Sequence, residues 1–123
     1  MATEYNPPIL ESQAKNAAGE TIVDAAKDLK VSVPSGQPIA PTNTLYVLLT
    51  KAGEMQPRWQ SSGTQTGDFN PDTEEEFIKP DLGGVIPKEH LAKLKGKSAE
   101  ISYRMDTESG GEHKSETHRI FIK

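Results

Sequence analysis

At 123 residues the chain has the length of one domain, about 100–150 residues, and its hydrophobic fraction of 33%, against about 45–50% in ordinary globular chains, predicts a thin core. A net charge of −4 argues against the basic footprint of a nucleic-acid or anionic-membrane binder, and the absence of cysteine removes disulfides, thiolate nucleophiles and Cys-based zinc sites. No window approaches the roughly 20 apolar residues of a membrane span, and the opening "MATEYNPPIL" lacks the basic stretch and long apolar run of a Sec-type signal.

In chain order, residues 1–7 are expected to be flexible, and Pro7 and Pro8 forbid a helix before a first strand at Ile9 and Leu10. "ETIVDA" supplies a short apolar piece. "KDLKVSVP" alternates Leu29, Val31 and Val33 inward with Lys30 and Ser32 outward until Pro34 stops it. "TLYVLLTK", the most hydrophobic run, reads as a central strand with Leu45, Val47 and Leu49 on one face and Tyr46 and Leu48 on the other.

Residues 53–76 are rich in Gly, Pro and small polar side chains, and predict a hairpin around "QPRWQ" followed by a long mobile loop. "EEEFIKPDLGGVIP" resumes an extended chain with Phe77 or Ile78 facing in. "KEHLAKLKG" is the one helix-like stretch, with Leu91 and Leu94 three apart and Gly96 at its end, and forms a short crossover near residues 88–95. "GKSAEISYRM" then places Ala99, Ile101, Tyr103 and Met105 on one parity, facing the inward residues of "TLYVLLTK" across the core. A turn at Gly110-Gly111 returns the chain antiparallel as "SETHRIFIK", with Ile120 and Ile122 facing one way and Phe121 the other. About seven short strands with turns between them predict an all-β, antiparallel β-sandwich of a single domain over residues 1–123. Tyr46, Phe77, Tyr103 and Phe121 are expected in its core.

Two segments, "TIVDAAKDLKVSVPSGQPIAPTNTLYVLLT" and "GGVIPKEHLAKLKGKSAEISYRM" with "SGGEHKSETHRIFI", resemble the opening and closing halves of bacterial immunoglobulin-like repeat domains found in large surface or secreted proteins of pseudomonads and relatives. The resemblance implies an immunoglobulin-like sandwich acting as an adhesion, spacer or interaction module, with a protein or host-surface partner, and not an enzyme. One departure is that such repeats often carry a tryptophan in or just after the central strand, whereas here Trp59 comes later.

Chemistry-bearing patterns are few. Asp68, Asn70 and Asp72 mimic the alternating oxygens that open a calcium loop, but an EF-hand needs Gly and Glu where Thr73 and Lys79 stand. Asp68, Asp72 and Glu74 therefore form either a calcium-binding end loop or a solvated acidic turn. His113 and His118 are five apart and His90 is distant in sequence, so they read as surface histidines before a shared zinc site. The serines of "QSSGTQTG" have no base near them in sequence, and "GTQTGD" lacks the Lys and helix of a phosphate loop. No cofactor follows from these motifs. Arg58, Trp59 and Phe69 are the candidate binding residues, since Trp and Arg are over-represented at binding hot spots; the competing reading of Trp59 is a half-buried closure of the sandwich edge. A monomer binding through its loops is expected, with a carbohydrate or calcium binder built on the 58–76 loop as the alternative.

Overall fold

In the computed structural model, which describes residues 5–11, 14–37 and 39–123, the chain is all-β apart from one short helix. The strands are β1 (Ile9–Leu10), β2 (Thr21–Val23), β3 (Leu29–Ser32), β4 (Thr44–Lys51), β5 (Trp59–Gln60), β6 (Thr64–Gln65), β7 (Gly67–Asn70), β8 (Glu75–Ile78), β9 (Gly83–Ile86), β10 (Ser98–Asp106), β11 (Glu112–Lys114) and β12 (His118–Ile122), with helix α1 (Lys88–Ala92) between β9 and β10.

They assemble into a sandwich-like arrangement. One sheet has the order β1-β3-β9; the other runs β2-β12-β10-β4-β5, with β6 also paired to β4 and β11 to β10; β7 and β8 form a separate two-stranded ribbon. Every pair is antiparallel except β2 with β12, which run parallel and match Ile120 to Thr21 and Ile122 to Val23. Leu10, Leu29, Val31 and Ile86 of the first sheet share one buried cluster with Val47, Leu49, Ala99, Ile101, Ile120 and Ile122 of the second. Each Leu, Ile or Val side chain among them contributes roughly 1.5–3 kcal/mol when fully buried. A second cluster at the Thr44 end of β4 joins Tyr5, Leu45, Leu82, Tyr103 and Met105.

The alternation in β4 and β10 works differently from the sequence expectation. Ile101, Tyr103 and Met105 do not face Leu49, Val47 and Leu45 across the core; they lie beside them, hydrogen-bonded neighbours in one sheet, and the layer opposite comes from β1, β3 and β9. A period of two fixes which side chains share a face, and leaves open which strand lies beside and which lies across. The short crossover appears as expected, with Asp28 Oδ1 accepting from Lys88 N at 2.9 Å and Leu91 fully buried.

The turn closing β10 is also where the glycine pair placed it. Gly110 adopts φ 95°, a left-handed conformation, and β10 residues 104–106 pair with 114–112. The return strand is interrupted, however. Ser98–Ile101 pair with Phe121–His118, so three residues, 115–117, oppose Ser102 and Tyr103 as a β-bulge. Ser115 fills the gap, its Oγ accepting from Tyr103 N and its N donating to Tyr103 O, both at 3.0 Å.

Two further expectations are corrected. Tyr46 and Phe121 are only half-buried, because their parity points to the outer face of the second sheet. Phe77 and Ile78 are 45% and 37% exposed, because β8 belongs to the ribbon and has no opposing layer. The stretch expected to be flexible, residues 1–7, lies outside the described residues over 1–4; beyond that Tyr5 is buried and bridges to Ser115.

Candidate functional site

Residues 53–76 form more regular structure than a loop. After β4 the chain turns through 52–58 and pairs Trp59 with Leu49 and Gln60 with Leu48, the hairpin expected around "QPRWQ". It then runs along β4 to β6, where Gln65 pairs with Thr44, and leaves the sheet as β7. Thr66 fastens this exit: fully buried, it donates from Oγ1 to Ala40 O at 2.7 Å and Asn43 O at 3.1 Å, and its N donates to Asn43 O at 3.0 Å. Its carbonyl accepts from Lys79 N at 2.9 Å, so the outgoing and returning chains share one anchor. Gly67 lies against Pro41, where an added Cβ would collide with the proline ring and carbonyl.

Beyond that anchor β7 and β8 pair with each other and with no other strand of the described residues. Gly67–Asn70 pair with Ile78–Glu75, and the tip 71–74 is shaped by Pro71, by Asn70 Oδ1 accepting from Asp72 N at 2.9 Å, and by Glu74 at φ 58°. Residues 71–78 are all exposed. Phe69, 53% exposed, lies opposite Glu76 and diagonal to Ile78 on one face; Phe77 lies opposite Asp68 on the other. Exposed aromatic side chains on both faces of a firmly anchored ribbon are suited to binding another macromolecule.

The candidate binding residues are thus separated. Phe69 is on the ribbon, beyond the Thr44 end of β4. Trp59 and Arg58 lie near its other end, at Leu49. Trp59 is half-buried against the core, its ring 5.7 Å from that of His90, which agrees with an edge-closing role. Arg58 is held by Glu54 in a two-point pair, both contacts 2.7 Å, which raises the Arg58 pKa and lowers that of Glu54. The candidate calcium ligands Asp68, Asp72 and Glu74 share the ribbon, with Asp68 Oδ1 accepting from Phe69 N at 2.8 Å. Among the described residues, no three His, Cys, Asp or Glu side chains are placed to hold a metal ion together.

Several polar groups that the sequence leaves unremarked tie the molecule together. His118, read as a surface residue, is half-buried, with Nδ1 2.9 Å from Pro8 O and Nε2 2.7 Å from Thr21 Oγ1. A carbonyl only accepts, so Nδ1 carries the hydrogen in its bond to Pro8. Glu20, buried, accepts from Asn16 Nδ2 at 3.0 Å and Arg119 Nε at 2.7 Å; these bonds, with one from Ser98, hold its pKa down at about 2. Tyr103 Oη donates to Asn6 O and accepts from Gln37 Nε2, both at 2.8 Å, and burial pushes its pKa up. A cavity of about 570 Å³ lies beside β2 and β3. Three carboxylates on it are used locally: Glu11, Asp24 and Asp28 accept from Lys30 N, Ala26 N and Lys88 N.

Comparison of this chain with protein-family models, with curated proteins and with solved structures finds no match.

Proposed function

We propose that this chain is a non-enzymatic interaction module of the bacterial immunoglobulin-like type, which binds a protein partner through the β7–β8 ribbon. The observation that carries this reading is the ribbon itself: a separate two-stranded sheet, anchored at Thr66 and exposing Phe69, Phe77 and Ile78. Rigidly held connections on a stable scaffold are where binding residues concentrate. Sheet order supports the immunoglobulin-like part of the reading. β1-β3-β9 corresponds to the A-B-E order of one immunoglobulin sheet and β12-β10-β4 to the G-F-C order of the other. The non-enzymatic part is supported by how reactive side chains are employed, with Glu20 and His118 spent on bonds that join strands.

The alternative, a carbohydrate or calcium binder using Trp59 with Asp68, Asp72 and Glu74, has less support. Trp59 lies against the core and His90, at the end of β4 away from the acidic ribbon.

Site-specific photo-crosslinking tests the interaction reading. With p-benzoylphenylalanine at Phe77, discrete adducts are expected in extracts of the source cells, and they should diminish with Phe69→Ser. The same probe at exposed Ser109, on the β10–β11 turn, should give none. Absence of adducts at Phe77, or equal yields at both positions, contradicts the reading.

A further inference from the structure

We propose that the ribbon's partner is the lysine-bearing α1 end of a second copy of this chain, so that copies associate head to tail; this rests on the ribbon being the contact surface. Charge is distributed unevenly along the molecule. Residues 67–78 hold Asp68, Asp72, Glu74, Glu75 and Glu76 and no basic side chain, five of the 18 acidic residues of the chain. Elsewhere thirteen acidic residues face fourteen basic ones, a net of +1. The whole negative excess therefore resides on the ribbon, which also exposes Phe69, Phe77 and Ile78.

The complementary surface is on the same molecule. Residues 88–97 carry Lys88, Lys93, Lys95 and Lys97, all exposed, against the single acid Glu89. Apolar surface accompanies this charge as well. The adjoining 52–58 turn, held by Ala52 N donating to Ser98 O at 3.1 Å, presents Met55 at 95% exposure. A methionine tip beside a cationic rim suits an acidic ribbon bearing phenylalanines, since Met adapts its shape to aromatic partners.

The two surfaces cannot satisfy each other within one copy. The ribbon is anchored beside Asn43, at the start of β4, whereas Lys97 and Ser98 adjoin Ala52, at its end. Eight residues of β4 at roughly 3.3 Å each put about 25 Å between them. A contact between different surfaces of two copies is heterologous, so it propagates unless a ring closes. One narrow ribbon buries little area, below the roughly 1,200 Å² of stable complexes, so association should be weak, and a monomer is its dilute limit.

Sedimentation velocity of the full chain from micromolar to millimolar concentration tests this. In low salt the weight-average mass should rise with concentration above the 13.4 kDa of one chain, and at about 0.5 M salt, where screening acts within roughly 4–5 Å, the rise should be lost. D72K/E75K/E76K and K93E/K95E/K97E, both confined to exposed side chains, should each abolish the rise. An equimolar mixture of the two variants should restore it, because each then meets an oppositely charged counterpart. A mass that stays at one chain throughout, or a mixture that fails to recover, overturns the proposal. If that happens while Phe77 still crosslinks to a different protein, the ribbon stands as a contact surface and self-association does not; if Phe77 is silent too, both fail.

Discussion

Glu20 carries more of the architecture than its place in a polar turn suggests. Its carboxylate joins the Asn16 turn to Arg119 of β12, beside the parallel pairing that brings β2 into the larger sheet. Its folded pKa of about 2 lies below the ordinary 4.5, so its contribution to stability is present above pH 4.5 and lost as pH falls through that range toward 2. Denaturant unfolding of the wild type and Glu20→Gln at several pH values should show a destabilised variant at pH 7, with the gap closing by pH 2. A gap independent of pH would mean that the charge on Glu20 plays no part. Neither this residue nor His118 was legible in the sequence, because their partners are up to 110 positions away and a polar residue gives no periodic signal.

At the scale of elements, the strands with one face on the core were legible. β3, β4, β10 and β12 carry alternating apolar residues, and Leu29, Val31, Leu45, Val47, Leu49, Ile101, Tyr103 and Met105, inward by that rule, are all buried; the rule left open which side of β12 faces in, where Ile120 and Ile122 are buried and Phe121, expected in the core, is not. The same rule misplaced Phe77 and Ile78. It assumes a layer beneath each apolar residue, and β8 has none. The run "TQTGDFNPDTEEE" has too few apolar residues to alternate, so it read as a loop and the ribbon was missed. One position in it does carry a structural reason, since Gly67 abuts Pro41 where the ribbon leaves the sandwich. Gly67→Ala should cost about 1–3 kcal/mol, the range for overpacking a tight contact, read as a lower denaturant midpoint with an unchanged slope. An unaltered midpoint would mean that the ribbon's exit gives way without strain.

For the whole molecule, the class and the antiparallel return of β12 beside β10 followed from sequence, while the parallel β2–β12 pair and the separate ribbon did not. Both depend on where the chain changes sheets, a choice settled by remote bonds such as Thr66 to Ala40 and His118 to Pro8. That choice also separates charge, leaving an acidic ribbon at one end of β4 and lysines near the other. The measurement that tests this arrangement most directly is the concentration dependence of backbone amide signals by NMR in low salt. Shifts or broadening should appear in residues 67–78, 52–58 and 88–97 together, and disappear on dilution or with added salt. Invariant spectra, or changes centred on the 107–111 turn or the open edge of β9, would contradict it.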